Sequence, residues 1–513
     1  MPPSPKAARR RPLRCVIQTL VLPSPATCYR ALVARDRRFD GRFFVAVKTT
    51  GIYCRPICPA RTPGESRCEF YASAAEAERA GFRACFRCRP ELAPGLAPVD
   101  SLPRLVRLAS SRIEAGYLNE HSIEDLAASV AVSSRHLRRA MEETLGVSPV
   151  ELAQTRRLAL AKQLLHDTAL PLGEVAHHAG FASLRRFNAL TRARWGRSPS
   201  TVRRSPLIGG SGDAGGDAVA LRLDCRPPFD WEALLDFLAA RAIPGVEQVV
   251  ASANGREYQR SARIAGCSGW IALSLERPPH VLRARVSLSL APRLMEVVAR
   301  LRATFDLDAR PEVIQGQLRG DALLRPLLSA HRGLRLPGAF DGFELAIRAI
   351  LGQQVSVAGA TTLSGRLVER FGTSLSGTPP GIDRLFPPAD LLADVSLAEL
   401  RAIGLPEARA RTILRLAEAV ASGTVDLSVA ATDPEQALVE LQKLPGIGPW
   451  TAHYVAMRAL HWPNAFPAAD LAIRRALRVT TSRQAEARAS RWQPWRGYAA
   501  MHLWNGAGRE SAA

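Results

Sequence analysis

The feature of this sequence that most restricts its fold is a run of small residues two fifths of the way along the chain, Gly209-Gly210-Ser211-Gly212-Asp213-Ala214-Gly215-Gly216. By composition this run is a flexible linker, which we place at residues 206–217. A chain of 513 residues is in any case too long for one hydrophobic core, and such a length predicts roughly three to four domains. The residues on the two sides of the linker are therefore expected to fold separately.

Positive charge is concentrated before this linker. Residues 1–205 contain 34 Lys and Arg against 17 Asp and Glu, whereas the remaining residues contain 35 against 30, within a net charge of +22. Such asymmetry favours a polyanionic partner, most often nucleic acid, although binding to ribosomes or to a membrane surface would give a similar charge. No apolar run approaches the length of a membrane span. We interpret the basic residues 1–24 as a disordered tail rather than a signal peptide.

Four of the nine cysteines form two pairs with the spacing of metal ligands. Cys54 and Cys58 are a C-x3-C pair. Cys85 and Cys88 follow as a C-x2-C pair after an interval of 26 residues. Short loops of this kind can bring four thiolates to one tetrahedral zinc ion, and a long chain without a secretion signal favours reduced thiols over disulfides. The alternatives are four unligated core cysteines, or a zinc ion with a purely structural role.

The residues around both pairs resemble the N-terminal domain of the Ada family of alkylation-response proteins. The likeness is carried by residues 43–56 (FFVAVKTTGIYCRP) and 81–90 (GFRACFRCRP). The resemblance implies that Cys54 accepts a methyl group irreversibly from a methylated DNA phosphate. Zinc would keep the sulfur deprotonated, and four thiolates would keep it electron-rich enough to attack carbon. The neighbouring Arg55, Arg87 and Arg89 either hold the flanking phosphates or form a solvated basic face.

A repeat with a period of fifty residues follows this segment. Leu145-Gly146-Val147-Ser148-Pro149 returns as Trp195-Gly196-Arg197-Ser198-Pro199, and before each copy lie a helical segment, a turn and a second, basic helical segment. These are the parts of a helix-turn-helix, whose second helix enters the DNA major groove. Residues 179–187 (AGFASLRRF) resemble the AraC family of regulators, as does the tandem arrangement. The arginines expected to contact DNA are Arg135, Arg138, Arg185 and Arg186.

The sequence after the linker divides near residue 305. Residues 218–305 mix β-rich stretches, such as 218–223 and 281–290, with helices, which predicts a small α+β domain. From Asp341 onward the sequence is almost wholly helical. The predicted helices are 343–351, 357–371, 397–403, 408–421, 435–444 and 451–460.

A loop containing two glycines joins the last two of these helices. Gly446 and Gly448 flank Ile447, so that the backbone there can approach a ligand closely. Exposed amides at a helix N-terminus attract phosphate. Asp470 lies twenty-two residues after Gly448, immediately before another predicted helix. The alternatives are an ordinary turn between helices and an aspartate that caps a helix.

The loop and Asp470 together resemble the helix-hairpin-helix DNA glycosylases, in particular the alkylation-repair branch called AlkA, and the likeness covers residues 220–508. The resemblance implies that a damaged base is flipped out of the duplex into an aromatic pocket, where stacking and cation-π interactions hold an alkylated purine. It also implies that Asp470 stabilises the oxocarbenium-like sugar and orients or deprotonates water. Each implied pocket residue has ordinary core packing as its alternative; these residues are Phe237, Trp450, Tyr454 and Trp504.

Three positions refine what this resemblance implies. Gln354 stands where the branch can carry an apolar wedge for the gap left by the flipped base, so the way the duplex is held open is undecided. Position 450 is tryptophan, where glycosylases that also nick DNA have a Schiff-base lysine, and we therefore expect a monofunctional enzyme. After Asn505 there is no cysteine quartet, and we expect no iron-sulfur cluster. The hairpin is a candidate site for a monovalent cation.

The predicted fold is multidomain, mainly α with α+β parts. We expect a small zinc α+β domain at 25–95 and an all-α tandem helix-turn-helix domain at 96–205. An α+β domain at 218–305 and an all-α helix-hairpin-helix glycosylase domain at 306–513 are expected after the linker.

The predicted function is hydrolytic excision of alkylated bases of the 3-methyladenine type, joined to a transcription regulator whose Cys54 accepts methyl groups from methylphosphotriesters. The alternative is an alkylation-responsive regulator with an inactive glycosylase half and a structural zinc ion. The expected partners are alkylated duplex DNA, promoter DNA and RNA polymerase. We expect a cytoplasmic monomer that binds no membrane.

Overall fold

The computed structural model describes residues 22–95, 103–204, 217–252, 255–276, 281–428 and 433–510. Residues 22–204 are called the N-terminal half below, and residues 217–510 the C-terminal half. The predicted basic tail and the predicted linker lie almost wholly outside the described residues. None of the described helices is long and apolar enough to cross a membrane.

The chain begins with a four-stranded sheet and two short helices. Its elements are α1 (Pro25–Val33), β1 (Phe44–Val47), β2 (Ile52–Cys54), β3 (Cys68–Tyr71), α2 (Ala74–Arg79) and β4 (Arg83–Ala84). The strand order is β3-β1-β2-β4, with β4 parallel to β2 and the other pairs antiparallel. Because β2 and β4 are neighbours and run in the same direction, the residues that follow them lie close together. Those residues begin the two cysteine loops.

Seven helices then form two helix-turn-helix units joined by one long helix. They are α3 (Arg104–Glu114), α4 (Ile123–Ser129), α5 (Ser134–Leu145), α6 (Pro149–Asp167), α7 (Leu172–His178), α8 (Leu184–Trp195) and α9 (Pro199–Arg204). In both units the second helix starts after a serine cap, Ser133 or Ser183, and ends at a glycine with positive φ, Gly146 or Gly196. The predicted tandem arrangement is confirmed. The connecting helix α6 had no counterpart among the predicted segments.

A five-stranded antiparallel sheet opens the C-terminal half. The elements are β5 (Ala218–Asp224), α10 (Trp231–Ala239), β6 (Glu247–Ser252), β7 (Gly255–Ile264), β8 (Cys267–Glu276), β9 (Val281–Ser287) and α11 (Leu294–Thr304). The strand order is β5-β9-β8-β7-β6, which leaves β5 at one edge. The predicted strand 281–290 ends earlier, at Ser287, because a 3₁₀ helix containing Pro292 follows it.

The remainder of the C-terminal half is helical apart from one two-residue strand pair. Its elements are α12 (Pro311–Leu318), α13 (Leu324–Ala330), α14 (Gly342–Leu351), α15 (Val357–Phe371), β10 (Thr373–Ser374), β11 (Arg384–Leu385), α16 (Ala389–Ala393), α17 (Leu397–Ala402), α18 (Glu407–Ala421), α19 (Pro434–Lys443), α20 (Pro449–Arg458), α21 (Leu471–Leu477), α22 (Ser482–Ala489) and α23 (Arg496–Glu510). The predicted helices all occur, with ends within two residues of those expected. The predicted fold class is confirmed.

Two hydrophobic cores meet beside the hairpin formed by α19 and α20. One core includes Leu164 of α6 and Phe187 of the second helix-turn-helix unit, together with Leu221 of β5 and the last helices. The other core is formed by α14 to α20. Tyr454 of α20 packs against both cores. Helix α20 therefore lies where the two cores meet.

Candidate functional site: an aromatic pocket around Asp470 and a four-cysteine centre

The hairpin between α19 and α20 depends on Gly446. Its φ is +95°, and a Cβ atom added there would lie only 1.9 Å from Oγ1 of Thr412 on α18. Gly448 differs, because a Cβ atom there would meet no heavy atom within 4 Å. Gly446 is therefore required by close contact inside the protein. Gly448, the N-cap residue of α20, is exposed and leaves its backbone open to an outside ligand.

The carboxylate of Asp470 accepts three hydrogen bonds. The indole Nε1 of Trp450 donates to one oxygen at 3.0 Å, and the indole Nε1 of Trp504 donates to the other at 3.1 Å. The backbone N–H of Ile473 donates at 3.0 Å, so Asp470 also caps α21. Asp470 therefore does cap a helix, as one of the two interpretations of the sequence expected. The two indoles hold the carboxylate at the edge of an aromatic cluster, which a simple cap would not require.

Three aromatic side chains line this cluster. The rings of Trp450 and Tyr454 are stacked, with centroids 5.4 Å apart and planes at 13°. The ring of Trp504 is tilted against Tyr454 at 6.2 Å. All three residues are half-buried, so part of each ring faces solvent. Such a surface can stack a flat heterocycle within reach of Asp470.

Phe237 lies behind Tyr454 rather than on the open surface. It is 8% exposed, and two guanidinium groups cover its ring. The Cζ atoms of Arg241 and Arg458 lie 3.8 Å and 4.8 Å from the ring centroid. Phe237 therefore has the core packing that was the alternative to a role in the pocket.

Arginines beneath the pocket were missed by the sequence reasoning. Arg458, 4% exposed, donates to the Tyr454 hydroxyl at 2.8 Å. Burial acts to raise the pKa of the Tyr454 phenol, but three guanidinium groups outweigh it and lower that pKa; they belong to Arg458, Arg241 and Arg348. The interval of four residues between Tyr454 and Arg458 on one helix was the available signal.

The loop containing Gln354 lies against the hairpin. Gln353 donates through its side-chain amide to the Gly446 carbonyl at 3.0 Å and to Thr451 Oγ1 at 2.9 Å. Gln354 itself is exposed, with φ of +58°, and Val355 beside it is 39% exposed. The loop therefore presents Gln354 on the same side as the hairpin. A φ in this region is unusual for a residue other than glycine and is often associated with function.

The four predicted cysteine ligands meet in one place. Their Sγ atoms all lie within 4.8 Å of one another. Three of these residues are buried, whereas Cys54 is half-buried. The backbone N–H of Arg55 points at Cys88 Sγ over 3.4 Å, which is a contact suited to a thiolate. Four sulfurs at this separation fit a tetrahedral zinc ion.

The expected role of Arg55 at a surface phosphate is not compatible with its position. Arg55 is buried and pairs with the Asp40 carboxylate and, at 2.7 Å, with Asp224 of β5. Arg89 is also buried and pairs with Asp167 of α6. The two alternatives for these arginines were a phosphate contact and a solvated face, and both fail because carboxylates distant in sequence pair with them. Of the three neighbouring arginines, Arg87 is exposed.

The four arginines predicted to read DNA are exposed on the second helices of the two units. Arg135 and Arg138 lie on α5, and Arg185 and Arg186 lie on α8. Both helices project polar side chains outward and bury only a narrow apolar side, for example Leu137 and Phe187. This is the exposure that helices entering a DNA groove need.

A cavity of about 1430 Å³ lies between the two halves and does not include Asp470. It is lined by α3 and α6 on one side and by α11 and the 459–464 loop on the other. The cavity is therefore a separate feature of the interface and not the aromatic pocket.

Comparisons with known proteins follow the same division of the chain. The metal binding domain of Ada matches residues 27–91, and a helix-turn-helix domain matches residues 126–205. The AlkA N-terminal domain matches residues 220–341. The HhH-GPD superfamily of base excision DNA repair proteins matches residues 347–495.

Relatives cover both the whole chain and its parts. A Mycobacterium tuberculosis protein named as a probable bifunctional transcriptional activator/DNA repair enzyme AlkA is 39% identical over 482 residues, which are 93% of this chain and 95% of that protein. DNA-3-methyladenine glycosylase 2 of Escherichia coli is 38% identical over 55% of this chain and 95% of its own length. The E. coli bifunctional transcriptional activator/DNA repair enzyme Ada is 37% identical over 27% of this chain and 40% of its own length.

Three kinds of domain thus follow one another: a four-cysteine domain of the Ada type, a tandem helix-turn-helix and a helix-hairpin-helix glycosylase fold. Because the similarity to the M. tuberculosis protein extends over nearly the full length of both chains, this chain belongs to the AlkA family of bifunctional transcriptional activator/DNA repair enzymes.

Proposed function

We propose that the C-terminal half excises alkylated bases of the 3-methyladenine type from DNA, with Asp470 as the catalytic carboxylate. The observation that carries this proposal is the position of Asp470, whose two oxygens accept hydrogen bonds from Trp450 and Trp504 at the edge of the aromatic cluster. The substrate class is supported by similarity to the E. coli relative, whose name specifies DNA-3-methyladenine. If the glycosylase half were inactive, the two indole hydrogen bonds to Asp470 would have no role in catalysis.

The proposed reaction is hydrolysis of the bond between the base and C1′ of the sugar. A flipped, cationic base stacks on Trp450, Tyr454 and Trp504, and leaves with the bonding electron pair as a neutral heterocycle. Positive charge then develops on the sugar, where the Asp470 carboxylate stabilises it. Water adds to C1′, and its proton passes to Asp470 or to solvent.

We assign DNA positioning to the hairpin and to the loop beside it. The exposed hairpin residues Gly446 and Gly448 suit a backbone phosphate, and the exposed Gln354 is a candidate DNA contact in the loop beside them. Carbonyls of the hairpin are the candidate ligands for a monovalent cation. The test is incubation with methylated duplex in potassium, sodium or bulky organic-cation buffers, followed by chromatography of released bases. Equal excision rates in all three buffers would contradict a cation at the hairpin.

The enzyme is proposed to be monofunctional. Position 450 carries an indole whose N–H is bonded to Asp470, so it offers no amine for a Schiff base. Lys443 lies before the hairpin and pairs with Glu440 on the exposed side of α19. Borohydride treatment during base excision should therefore trap no covalent protein–DNA adduct. A trapped adduct would contradict this assignment.

A second proposed activity is methyl transfer from a DNA methylphosphotriester to Cys54. The supporting observation is that Cys54 is the least buried of the four cysteines. Bound zinc would keep the thiolates deprotonated at neutral pH. Cys54 Sγ attacks the methyl carbon, the carbon–oxygen bond breaks, and the electron pair returns to the phosphate, which leaves as a diester. Mass spectrometry should find a 14-dalton increase on the peptide containing Cys54, and no increase in Cys54→Ala.

We further propose that this methylation regulates DNA binding by the helix-turn-helix units. Four thiolates around one zinc ion carry two net negative charges, and a thioether at Cys54 removes one of them. At an effective dielectric constant near 20 and a separation of roughly 8 to 10 Å, one unit charge contributes about 2 kcal/mol, less in salt. This corresponds to roughly tenfold in DNA affinity or more.

The test of this regulation is the DNA affinity of the full chain before and after exposure to methylphosphotriester DNA, at several salt concentrations. Arg135, Arg138, Arg185 and Arg186 are the proposed contacts, and each exposed cation that meets a phosphate should contribute about one unit to the salt slope. Equal affinities in the two states would contradict the switch. RNA polymerase is the proposed partner at the promoter. We propose that the protein is a monomer. We also propose that it is cytoplasmic, because zinc thiolates of this kind persist in a reducing compartment. We also propose the domain boundaries expected from the sequence, which are residues 25–95, 96–205, 218–305 and 306–513.

A further inference from the structure

The N-terminal half is docked on the C-terminal half through buried polar contacts. Arg226, which follows β5 and is 1% exposed, donates to the carbonyls of Asp40 at 3.0 Å and Gly95 at 2.7 Å. The backbone N–H of Gly95 donates to the Asp308 carboxylate at 2.6 Å. Burying a guanidinium group is unfavourable unless its donors find acceptors. Because several of those acceptors belong to the N-terminal half, this surface of the C-terminal half is matched to it.

Apolar contacts accompany these polar ones. Helix α6 packs against β5, and buried residues of the second helix-turn-helix unit belong to the same hydrophobic core as β5. The side-chain amide of Gln163 on α6 also donates to the Arg222 carbonyl on β5, at 2.9 Å. A shared core and satisfied buried hydrogen bonds are typical of a stable interface rather than of two halves tethered by a linker.

The four-cysteine centre lies directly beside this surface. Arg55 follows Cys54, its backbone N–H points at Cys88 Sγ, and its side chain pairs with Asp224 of β5 at 2.7 Å. The second cysteine loop is held from α6, where Lys162 donates to the Cys85 carbonyl at 3.0 Å. The positions of these groups depend on the two loops remaining together. Four thiolates remain this close only when a cation binds them.

We propose that zinc in the four-cysteine centre controls the docking of the two halves, through the contact between Arg55 and Asp224. This inference rests on the proposed zinc site but not on methyl transfer or on base excision. With zinc bound, Arg55 is held where it meets Asp224, and the interface forms. Without zinc, the loops separate, the Arg55–Asp224 pair is lost, and the association of the two halves weakens.

The first test uses the full chain with a specific protease site placed in residues 206–217. After cleavage, gel filtration at physiological salt should show the zinc-loaded halves eluting together. Asp224→Asn should weaken their association about tenfold or more, because a buried charge pair across the interface is lost while Arg55 keeps its second partner, Asp40. The matched control is Glu232→Gln, which removes an exposed carboxylate that pairs only with Arg256 of its own half, and which should leave the association unchanged. Separation of the wild-type halves, or equal association for Asp224→Asn, would overturn the proposal.

The second test measures zinc dependence in the uncleaved chain by hydrogen exchange. Removing zinc with a thiol-specific mercurial should speed exchange at Gly95, whose amide is bonded across the interface. Amides of helix α15, whose buried Leu367 belongs to the other hydrophobic core, serve as the internal control and should not change. Unchanged protection of Gly95 on verified zinc loss would overturn the zinc dependence. A protein that binds no zinc at all would overturn both this inference and the proposed metal site, whereas loss of excision alone would affect only the proposed glycosylase function.

Discussion

At the scale of single residues, the protein uses Asp470 for two purposes. The carboxylate caps α21 through the backbone of Ile473, and it is held from the other side by the indoles of Trp450 and Trp504. A capping aspartate needs no partners other than backbone amides. The two indole donors therefore indicate that the orientation of this carboxylate matters beyond its local structural role.

Replacing Trp504 by Phe tests the value of that orientation. The substitution keeps an aromatic ring but removes the N–H that donates to Asp470 at 3.1 Å. A hydrogen bond to a charged group contributes about 1.5 to 3 kcal/mol, so single-turnover base excision should slow about tenfold or more. Affinity for an abasic-site analogue should change little, because the ring remains. An excision rate equal to that of the wild type would show that this hydrogen bond is not needed.

His502 on α23 makes the stability of the C-terminal half depend on pH. Burial, with a smaller contribution from the nearby His331, lowers the pKa of His502 to about 4; the side chain is 3% exposed. Between pH 6.5 and 4 the unfolded chain therefore binds a proton that the folded chain does not, and stability falls as the pH falls. At pH 5.5 the loss of folding free energy should be about 1 kcal/mol.

The measurement is denaturant unfolding at pH 7.5 and pH 5.5, followed by tryptophan fluorescence, since seven of the eight tryptophans belong to the C-terminal half. His502→Gln should reduce the difference between the two pH values. His136→Gln, at an exposed position on α5, is the control and should leave the difference unchanged. The same pH difference in His502→Gln as in the wild type would refute the assignment.

At the scale of elements, the two glycines of the hairpin meet different structural requirements. Gly446→Ala should destabilise the C-terminal half by about 1 to 3 kcal/mol, because of its positive φ and the contact with Thr412. Gly448→Ala should leave stability nearly unchanged, since the added Cβ meets nothing within 4 Å. If the hairpin binds a phosphate, Gly448→Ala should still weaken binding to abasic DNA. Equal stability of the two variants, measured by thermal unfolding, would contradict this division.

Elements were predictable from the sequence where their signals are local. Helix α15 occurs at the residues expected, and α5 and α8 begin after the serines that cap them. Strand β9 was predicted too long, because an apolar run does not reveal where a 3₁₀ helix replaces a strand. The cysteine ligands were predictable because two short-spaced cysteine pairs in a chain without a secretion signal are typical of a metal site.

Contacts between distant residues were not predictable in this way. Arg55 was assigned to a phosphate or to solvent, yet it pairs with Asp224, which is 169 positions later in the sequence. The position of Phe237 behind Tyr454, between Arg241 and Arg458, likewise depends on how two domains pack. Neither composition nor periodicity contains information about which surface covers a charged residue.

At the scale of the whole molecule, two DNA-directed units share one interface. The second helix-turn-helix unit and the glycosylase share a hydrophobic core, and the four-cysteine centre adjoins the same interface. A shared core gives a physical route by which an event at one site can change the free energy of the other. The chain is therefore better described as one packed assembly than as three domains joined only by linkers.

Within this assembly, Asp470 is the proposed catalytic carboxylate for base excision. The most direct measurement is release of 3-methyladenine from methylated duplex by the wild-type chain and by Asp470→Asn, with binding to an abasic-site analogue measured in parallel. Loss of the carboxylate charge should reduce the excision rate about 100-fold or more, while binding stays within about threefold, because the charge acts on the transition state. Excision by Asp470→Asn at the wild-type rate would exclude Asp470 as the catalytic carboxylate.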